Sequence, residues 1–469
     1  MAEALPKVTV IGGGIAGLAA AAHLAGAAGG PALARVTLLE AGERLGGKLR
    51  TGEVGGVQVD LGAESMLARR PEAVELARDV GLADLLEPPS TAKAAVWTRG
   101  ELRPLPGGQL MGVPGDLAAL AASGVLSPEG LARARAERPA GAALGDDAAI
   151  GAYVAQRLGQ EVVDRLVEPL LGGVYAGRAE EISLRAAVPQ LLAIAQGGGS
   201  LVEGVHALLD RPQAGGPVFQ GLRGGIGTLP TAVAAACERA GVELRLRAPV
   251  SELRRTATGW LVDGRACDAV LLATPAPVAA KLLATEAPDA AAELAAIEYA
   301  GMALVTLAFH RAELAPAPSG SGFLVPPVDG RSIKAATFSS RKWGWLERAA
   351  PDAFVLRTSL GRYRDEAALD LDDAELVARS LADLREAVGL TARPYASVVS
   401  RWRAGLPQYP VGHQAKVARI RAAVGRLGGL ALAGAAYDGV GIPACVASAR
   451  RAVDELLTPP PGRRAGKGE

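Results

Sequence analysis

The sequence predicts an α/β protein built on a parallel sheet, joined to a mixed α+β region and a helical insertion. Three observations carry this. The apolar run Val8–Ile11 leads into Gly12-Gly13-Gly14-Ile15-Ala16-Gly17 and then an alanine-rich helix. A second strand, Val36–Leu39, closes on Glu40, 23 residues after Gly17. Two later strands, Ala269–Thr274 and Gly429–Gly434, are each followed by a proline-led helix, as when a sheet is rejoined after long insertions.

The spacing G-x-G-x-x-G between a strand and a helix has a physical meaning. Gly12 permits the tight turn, Gly14 lets the backbone approach a pyrophosphate, and Gly17 permits close helix–strand packing. The helix N-terminus presents free N–H groups and a positive dipole end to the phosphates. A carboxylate at Glu40 accepts hydrogen bonds from an adenosine ribose. With 60 glycines in 469 residues the glycine pattern alone says little. Strand, glycines, helix, strand and acid in this order specify a Rossmann-type dinucleotide site.

Composition narrows the class. Hydrophobic residues make up 49% and aromatic residues only 4%, and the formal net charge is +1, so nothing points to nucleic acid or to an acidic membrane surface. Three scattered cysteines and four scattered histidines make neither a disulfide framework nor a metal site, and they fit a reducing cytoplasm. Residues 8–34 lack acids, lysine and arginine, which imitates a membrane span or a signal segment. The glycine fingerprint and Pro31 account for the run better. The tail from Thr458 is rich in Pro, Gly and Arg, and disorder is expected there.

Further along, Glu43-Arg44-Leu45-Gly46-Gly47-Lys48 sets two glycines where backbone can pass close to a phosphate or ribose. The short strand 57–61 leads into the loop Gly62-Ala63-Glu64-Ser65. A helix is expected over 71–86, a hairpin over 94–104, and mostly helix over 110–195, with one amphipathic helix ending before Pro169. Residues 196–218 read as a mobile connection. A helix over 231–240 and a strand over 242–247 follow, then a hairpin about Asp263-Gly264. Strands at 302–309, 353–360 and 396–402 with a helix at 375–388 suit a separate mixed domain. The loop 436–442 precedes a last helix opened by Pro443, a favoured position for proline.

Longer motifs are narrower. Leu102-Arg-Pro-Leu-Pro-Gly-Gly-Gln-Leu-Met-Gly-Val-Pro114, Glu168-Pro-Leu-Leu-Gly-Gly-Val-Tyr-Ala-Gly177, Arg401-Trp-Arg-Ala-Gly-Leu-Pro-Gln-Tyr409 and Gly439-Val-Gly-Ile-Pro-Ala-Cys445 resemble the oxygen-dependent coproporphyrinogen/protoporphyrinogen oxidases of haem synthesis, within the flavin-containing amine oxidase superfamily. The resemblance spans nearly the whole chain. It implies noncovalent FAD and carries flavin contacts onto Gly12 to Gly17, Glu40, Ala41, Lys48, Gly62, Ala63, Glu64, Ser65, Val250, Trp402, Val440, Gly441 and Ile442. For Val250 the resemblance is the sole support, and by pattern Trp402 is an ordinary strand tryptophan. It also implies a FAD-binding domain from 1–87, 213–278 and 400–458, a substrate-binding domain from 88–110, 182–212 and 279–399, and a helical insertion at 111–181, with 459–469 as a disordered tail.

The implied reaction takes six electrons from a porphyrinogen, two at a time, with O2 as the final acceptor. The cofactor carries the hard chemistry, and no side-chain acid or base stands out as catalytic. The motifs look closest to the soluble, Gram-positive-type members that use coproporphyrinogen III. Its four propionates favour a wider, more cationic pocket than the two of protoporphyrinogen. Arg69, Arg70, Lys93, Arg99 and Arg178 are the basic candidates, with Tyr175 as the aromatic placed nearest the ring. Members using protoporphyrinogen often have a basic residue near 93–95, and Lys93-Ala94-Ala95 matches loosely. Protoporphyrinogen IX oxidase is the near alternative. Amine or carotenoid oxidases and a non-catalytic escort protein are remoter, the escort being disfavoured by the intact Gly46-Gly47 and Val440-Gly-Ile442. The insertion lacks a long apolar stretch, so a cytoplasmic protein is expected, at most peripheral to the membrane, with weak contact to a membrane or to another haem-pathway enzyme left open.

Overall fold

The structure is a computed structural model, and it describes residues 4–138, 144–211, 215–314 and 316–457. Two sheets organise it. The first is a five-stranded parallel sheet in the order Glu243–Arg245, Arg35–Leu39, Lys7–Ile11, Ala269–Leu272, Leu430–Leu432. Its strands Lys7–Ile11, Ala269–Leu272 and Leu430–Leu432 are short and largely apolar because both faces are covered. On one face lie the helices Ile15–Leu24, Glu72–Asp79, Thr228–Arg239 and Ile442–Leu457. On the other lie Ala276–Leu283, Pro288–Ala295, His413–Gly425 and a small antiparallel sheet built about the Asp263-Gly264 turn.

The uncharged run at 8–34 is explained by burial. It holds a buried strand and the ten-residue helix Ile15–Leu24, whose Leu18, Ala20, Ala21, Ala22 and Leu24 are fully buried. At about 1.5 Å per residue that helix is half the length a bilayer requires. No helix among the described residues is long and apolar enough to cross a membrane.

The second sheet has seven strands, in the order Ala396–Pro407, Tyr299–His310, Ala353–Leu360, Ile333–Thr337, Gly322–Leu324, Ala94–Thr98, Glu101–Pro104. All its pairings are antiparallel except that of Gly322–Leu324 with Ala94–Thr98. Helix Asp373–Val388 covers one face, where Ala303, Val305, Leu307, Leu356 and Leu360 meet Leu376 and Leu384. The described residues between 117 and 209 are mostly helical about a core of their own, which includes Tyr153, Leu166, Leu171, Tyr175 and Tyr409.

Several boundaries depart from the sequence expectation. The helix expected to stop before Pro169 instead widens into a π turn, Val163–Val167, and continues as Glu168–Tyr175. Pro169 then stands in the first turn of the new segment, where its missing N–H costs nothing, and the π turn takes up the misfit. The helix expected over 71–86 ends at Asp79, closed by Gly81 at φ +87°, and gives way to a 3-10 turn and a two-residue strand. Within the expected mobile connection 196–218 lies a capped helix, Leu201–Leu209, whose Ser200 Oγ accepts from Glu203 N at 3.1 Å. The helix expected to begin at 231 begins at Thr228, with Pro230 in its first turn. The strand after it stops at Arg245, because Arg247 turns to φ +51°. The tail at 459–469 lies outside the described residues.

Candidate active site

The fingerprint glycines do three different things. A Cβ at Gly12, where φ is +106°, would lie 2.7 Å from Ala273 O. At Gly17 it would lie 1.9 Å from Gly12 O, inside the turn itself. At Gly14 it would meet nothing within 4 Å. Gly14 caps the helix Ile15–Leu24 without any side-chain hydrogen bond, and Ile15 and Ala16 fill its first turn. The uncapped helix end therefore faces open space, the cradle that a pyrophosphate needs.

The Gly46-Gly47 pair closes that cradle. Gly46 N donates to Gly13 O at 2.8 Å, and a Cβ on Gly47 would approach Gly14 Cα at 3.2 Å. Arg44 holds the loop from outside, donating to Gly47 O at 2.6 Å and Leu45 O at 3.1 Å. Glu40 ties down the first turn, accepting from Gly13 N at 2.6 Å and Gly42 N at 2.7 Å. Its carboxylate braces the glycine loop, and its remaining lone pairs are what a ribose would share. Beside it, Ala41 is exposed, and Ala248 N donates to Glu40 O at 2.9 Å. Val250 follows outside any strand, half-buried against the second core of the parallel sheet.

The loop Gly62–Ser65 lies where the two sheets meet. A Cβ on Gly62 would stand 2.2 Å from Lys48 O and 3.2 Å from the Trp402 ring. Trp402 donates from Nε1 to Leu61 O at 3.0 Å, which fixes its indole beside this loop. Glu64 turns inward, pairing with Arg357 Nε at 3.2 Å and with Lys342 Nζ. Burial alone would raise its pKa, but Arg357 and Lys342 outweigh burial and hold the carboxyl below the usual range. So the side chain of Glu64 locks the loop, and its backbone, with Ala63 and Ser65, is what can face a ligand. Lys48 is half-buried, its ammonium 5.7 Å from the Tyr299 ring centroid, and burial lowers its pKa.

The return loop brings in the last helix, Ile442–Leu457, with Val440 and Gly441 just before it. Asp438 anchors this loop through a two-pronged pair with Arg421, at 2.9 and 2.5 Å, and accepts from Ser448 Oγ at 2.7 Å. Burial would raise the Asp438 pKa; Arg421 and Ser448 overcome that and lower it. His413 bonds Ala436 O at 3.0 Å and stacks on Tyr409 with centroids 4.2 Å apart. Burial pushes the His413 pKa down to about 4, so the ring is neutral.

The substrate candidates fare unevenly. Tyr175 is buried against Tyr409, centroids 5.7 Å apart, and burial pushes its pKa up to about 12. Arg178 and Lys93 are exposed, and the backbone carbonyl of Lys93 accepts from Ser321 N at 2.7 Å. Arg70 pairs with Glu72 at 2.9 Å and Arg99 donates to Leu126 O at 2.6 Å, so both are taken up by structure. Sequence reading passed over Arg357, the Asp438–Arg421 pair, and Lys334 in Ile333-Lys-Ala-Ala-Thr337. A lysine inside an otherwise apolar strand was the available signal for the last. No group of three or more His, Cys, Asp or Glu among the described residues is arranged to hold a metal.

The comparisons with known proteins bear on this geometry. The profile of the flavin-containing amine oxidoreductases matches residues 15–457. The chain belongs to that family. It is a flavin-dependent oxidoreductase whose cofactor is FAD, the form of flavin with the pyrophosphate that the glycine cradle fits. A relative named coproporphyrinogen III oxidase from Mycobacterium tuberculosis (strain ATCC 25618 / H37Rv) is 40% identical over 456 residues, covering 96% of each chain. Another of that name, from Bacillus subtilis (strain 168), is 32% identical and covers 98% of this flavoprotein and 99% of the relative. A crystal structure of a putative protoporphyrinogen oxidase from Exiguobacterium sp. 255-15 superposes with a TM-score of 0.85 at 34% identity, covering 97% and 99% of the two chains.

Proposed function

We propose that this flavoprotein oxidises coproporphyrinogen III to coproporphyrin III in haem synthesis, with O2 as the final acceptor, in the cytoplasm or at the membrane surface. The carrying observation is the near full-length similarity to relatives of that name at 40% and 32% identity. The cradle about Gly14, the loop Gly62–Ser65, Trp402 and the return loop Val440–Ile442 support it as one continuous flavin site. Bound FAD supplies the capacity to accept two electrons at a time, so a six-electron oxidation takes three rounds.

The residues of the chain position and shield. Gly12 to Gly17 and Gly46-Gly47 leave room for the pyrophosphate. Glu40 keeps the glycine loop in register and would share its remaining lone pairs with the ribose. Val250 borders the adenosine end. Trp402 and the backbone of Gly62–Ser65 form a wall for the ring system. The N-terminus of the last helix would offer its positive dipole end to a bound flavin ring. Lys48 places a desolvated ammonium near that end. Lys93, Tyr175 and Arg178 mark the substrate side in this reading.

The test is stoichiometric. Purified protein should be yellow and should turn over coproporphyrinogen III only with O2, indifferent to NAD(P)+. It should release roughly three peroxides per porphyrin, since electrons leave in pairs. Undiminished anaerobic turnover with NAD+ contradicts the acceptor, and a colourless protein that retains nothing contradicts the enzyme reading.

A further inference from the structure

Lys334 carries a buried amine without a counter-charge. Its residue is 7% exposed, yet the hydrogen-bond partner of its ammonium is a sulfur, Met302 Sδ at 3.9 Å. No carboxylate among the described residues pairs with it. Its charged neighbour is another cation, Arg362, which donates to Val325 O at 2.9 Å. Arg362 feels Glu168 and Asp365 at a distance, and Glu168 is already engaged by Ala179 N at 2.6 Å. Lys334 is therefore the cation without a counter-charge, beside an Arg362 that leans on Glu168 and Asp365; in a low-dielectric region such an amine either gives up its proton or is met by something negative.

The sheet register shows where this charge points. Met302 and Trp402 are direct cross-strand partners and share one face of the seven-stranded sheet. The opposite face, with Ala303 and Val305, is sealed by helix Asp373–Val388. Lys334 sits in the register shift between Ile333 and Ala335, and by reaching Met302 it emerges on the Trp402 face. On the next strand Leu324 faces the helix Glu168–Tyr175, its Cδ2 3.6 Å from the position of a Cβ on Gly173.

We propose that Lys334, with Arg362 beside it, receives a carboxylate of the substrate on the Trp402 face of the seven-stranded sheet. This rests on the porphyrinogen reading above and deepens it: a propionate supplies the missing negative charge and fixes the macrocycle against the wall that Trp402 forms. Burial, with the charge of Arg362 adding, lowers the Lys334 pKa to about 7, and an arriving carboxylate favours the charged form.

The probes are coproporphyrin III and its tetramethyl ester, titrated against the flavin-loaded protein. Lys334→Met should weaken binding of the acid by about tenfold or more, the effect of losing a charge-assisted hydrogen bond, and leave the ester unchanged. For coproporphyrinogen III, KM should rise about tenfold with kcat nearly constant. Flavin content should be retained and Tm should rise, because an unpaired buried charge has been replaced by an apolar chain of similar length. Lys334→Arg should restore acid binding, and Arg362→Met should reduce it in the same direction. Equal loss of acid and ester, or unaltered acid binding in Lys334→Met, overturns the inference. Failure of the wild type to bind either probe overturns the porphyrinogen reading, and this inference with it.

Discussion

The glycine cradle and the seven-stranded sheet meet at Gly62, and they are built in opposite ways. On the cradle side, space is made by omitting side chains and polar groups are satisfied by backbone: Gly13 and Gly42 N–H on Glu40, Gly46 N–H on Gly13 O. On the sheet side, charged side chains are carried inward and set against each other, as with Glu64, Arg357 and Lys342. A backbone-built site answers substitution in an all-or-none way, because a Cβ either fits or overlaps. A side-chain-built site answers by degrees, according to which charges lose their partners.

Two glycines three residues apart should respond most strongly and in different ways. Gly17→Val should prevent folding, since even a Cβ there overlaps Gly12 O at 1.9 Å, and overpacking against backbone exceeds the usual cost of about 1–3 kcal/mol. Gly14→Val should fold and yet purify without flavin, since its side chain enters space empty of protein. Circular dichroism and visible absorbance separate the two, and a yellow Gly14→Val would refute the cradle.

On the sheet side, Glu64→Gln should cost about 2–3 kcal/mol of stability, because it takes from the half-buried Arg357 and Lys342 the carboxylate they share. Denaturant unfolding of the flavin-loaded protein measures this. A loss below about 1 kcal/mol would place the pair with weak surface bridges.

A smaller effect is expected at the return loop, which is backbone held by side chains. His413 has a folded pKa of about 4 against an ordinary value of 6.5. Between those values the unfolded chain binds the extra proton, so this group's contribution is present above pH 6.5 and is lost as pH falls toward 4. Between pH 7 and pH 5 wild type should therefore lose about 2 kcal/mol more stability than His413→Asn. Parallel pH–stability curves for the two proteins would remove His413 from the account.

The same contrast explains what could be read from the chain. The cradle was legible because its parts lie close in sequence and each glycine answers a local steric demand. The parallel sheet was legible from short apolar strands beside glycine turns. Glu64 read as a loop residue because its partner Lys342 is 278 positions away, and nothing local marks a carboxylate as paired. Tyr175 was legible as an aromatic in a glycine-rich motif, but its burial against Tyr409 depends on a segment more than two hundred residues later. Pro169 misled because its local rule forbids a helix interior, whereas a π turn upstream moved it into a first turn.

On the reading proposed above, this flavin site takes a tetracarboxylate macrocycle. The most direct measurement is aerobic oxidation of coproporphyrinogen III and protoporphyrinogen IX side by side, followed by porphyrin fluorescence. Coproporphyrinogen III should show the higher kcat/KM. A clear preference for protoporphyrinogen IX would contradict the substrate while leaving the fold and the flavin in place.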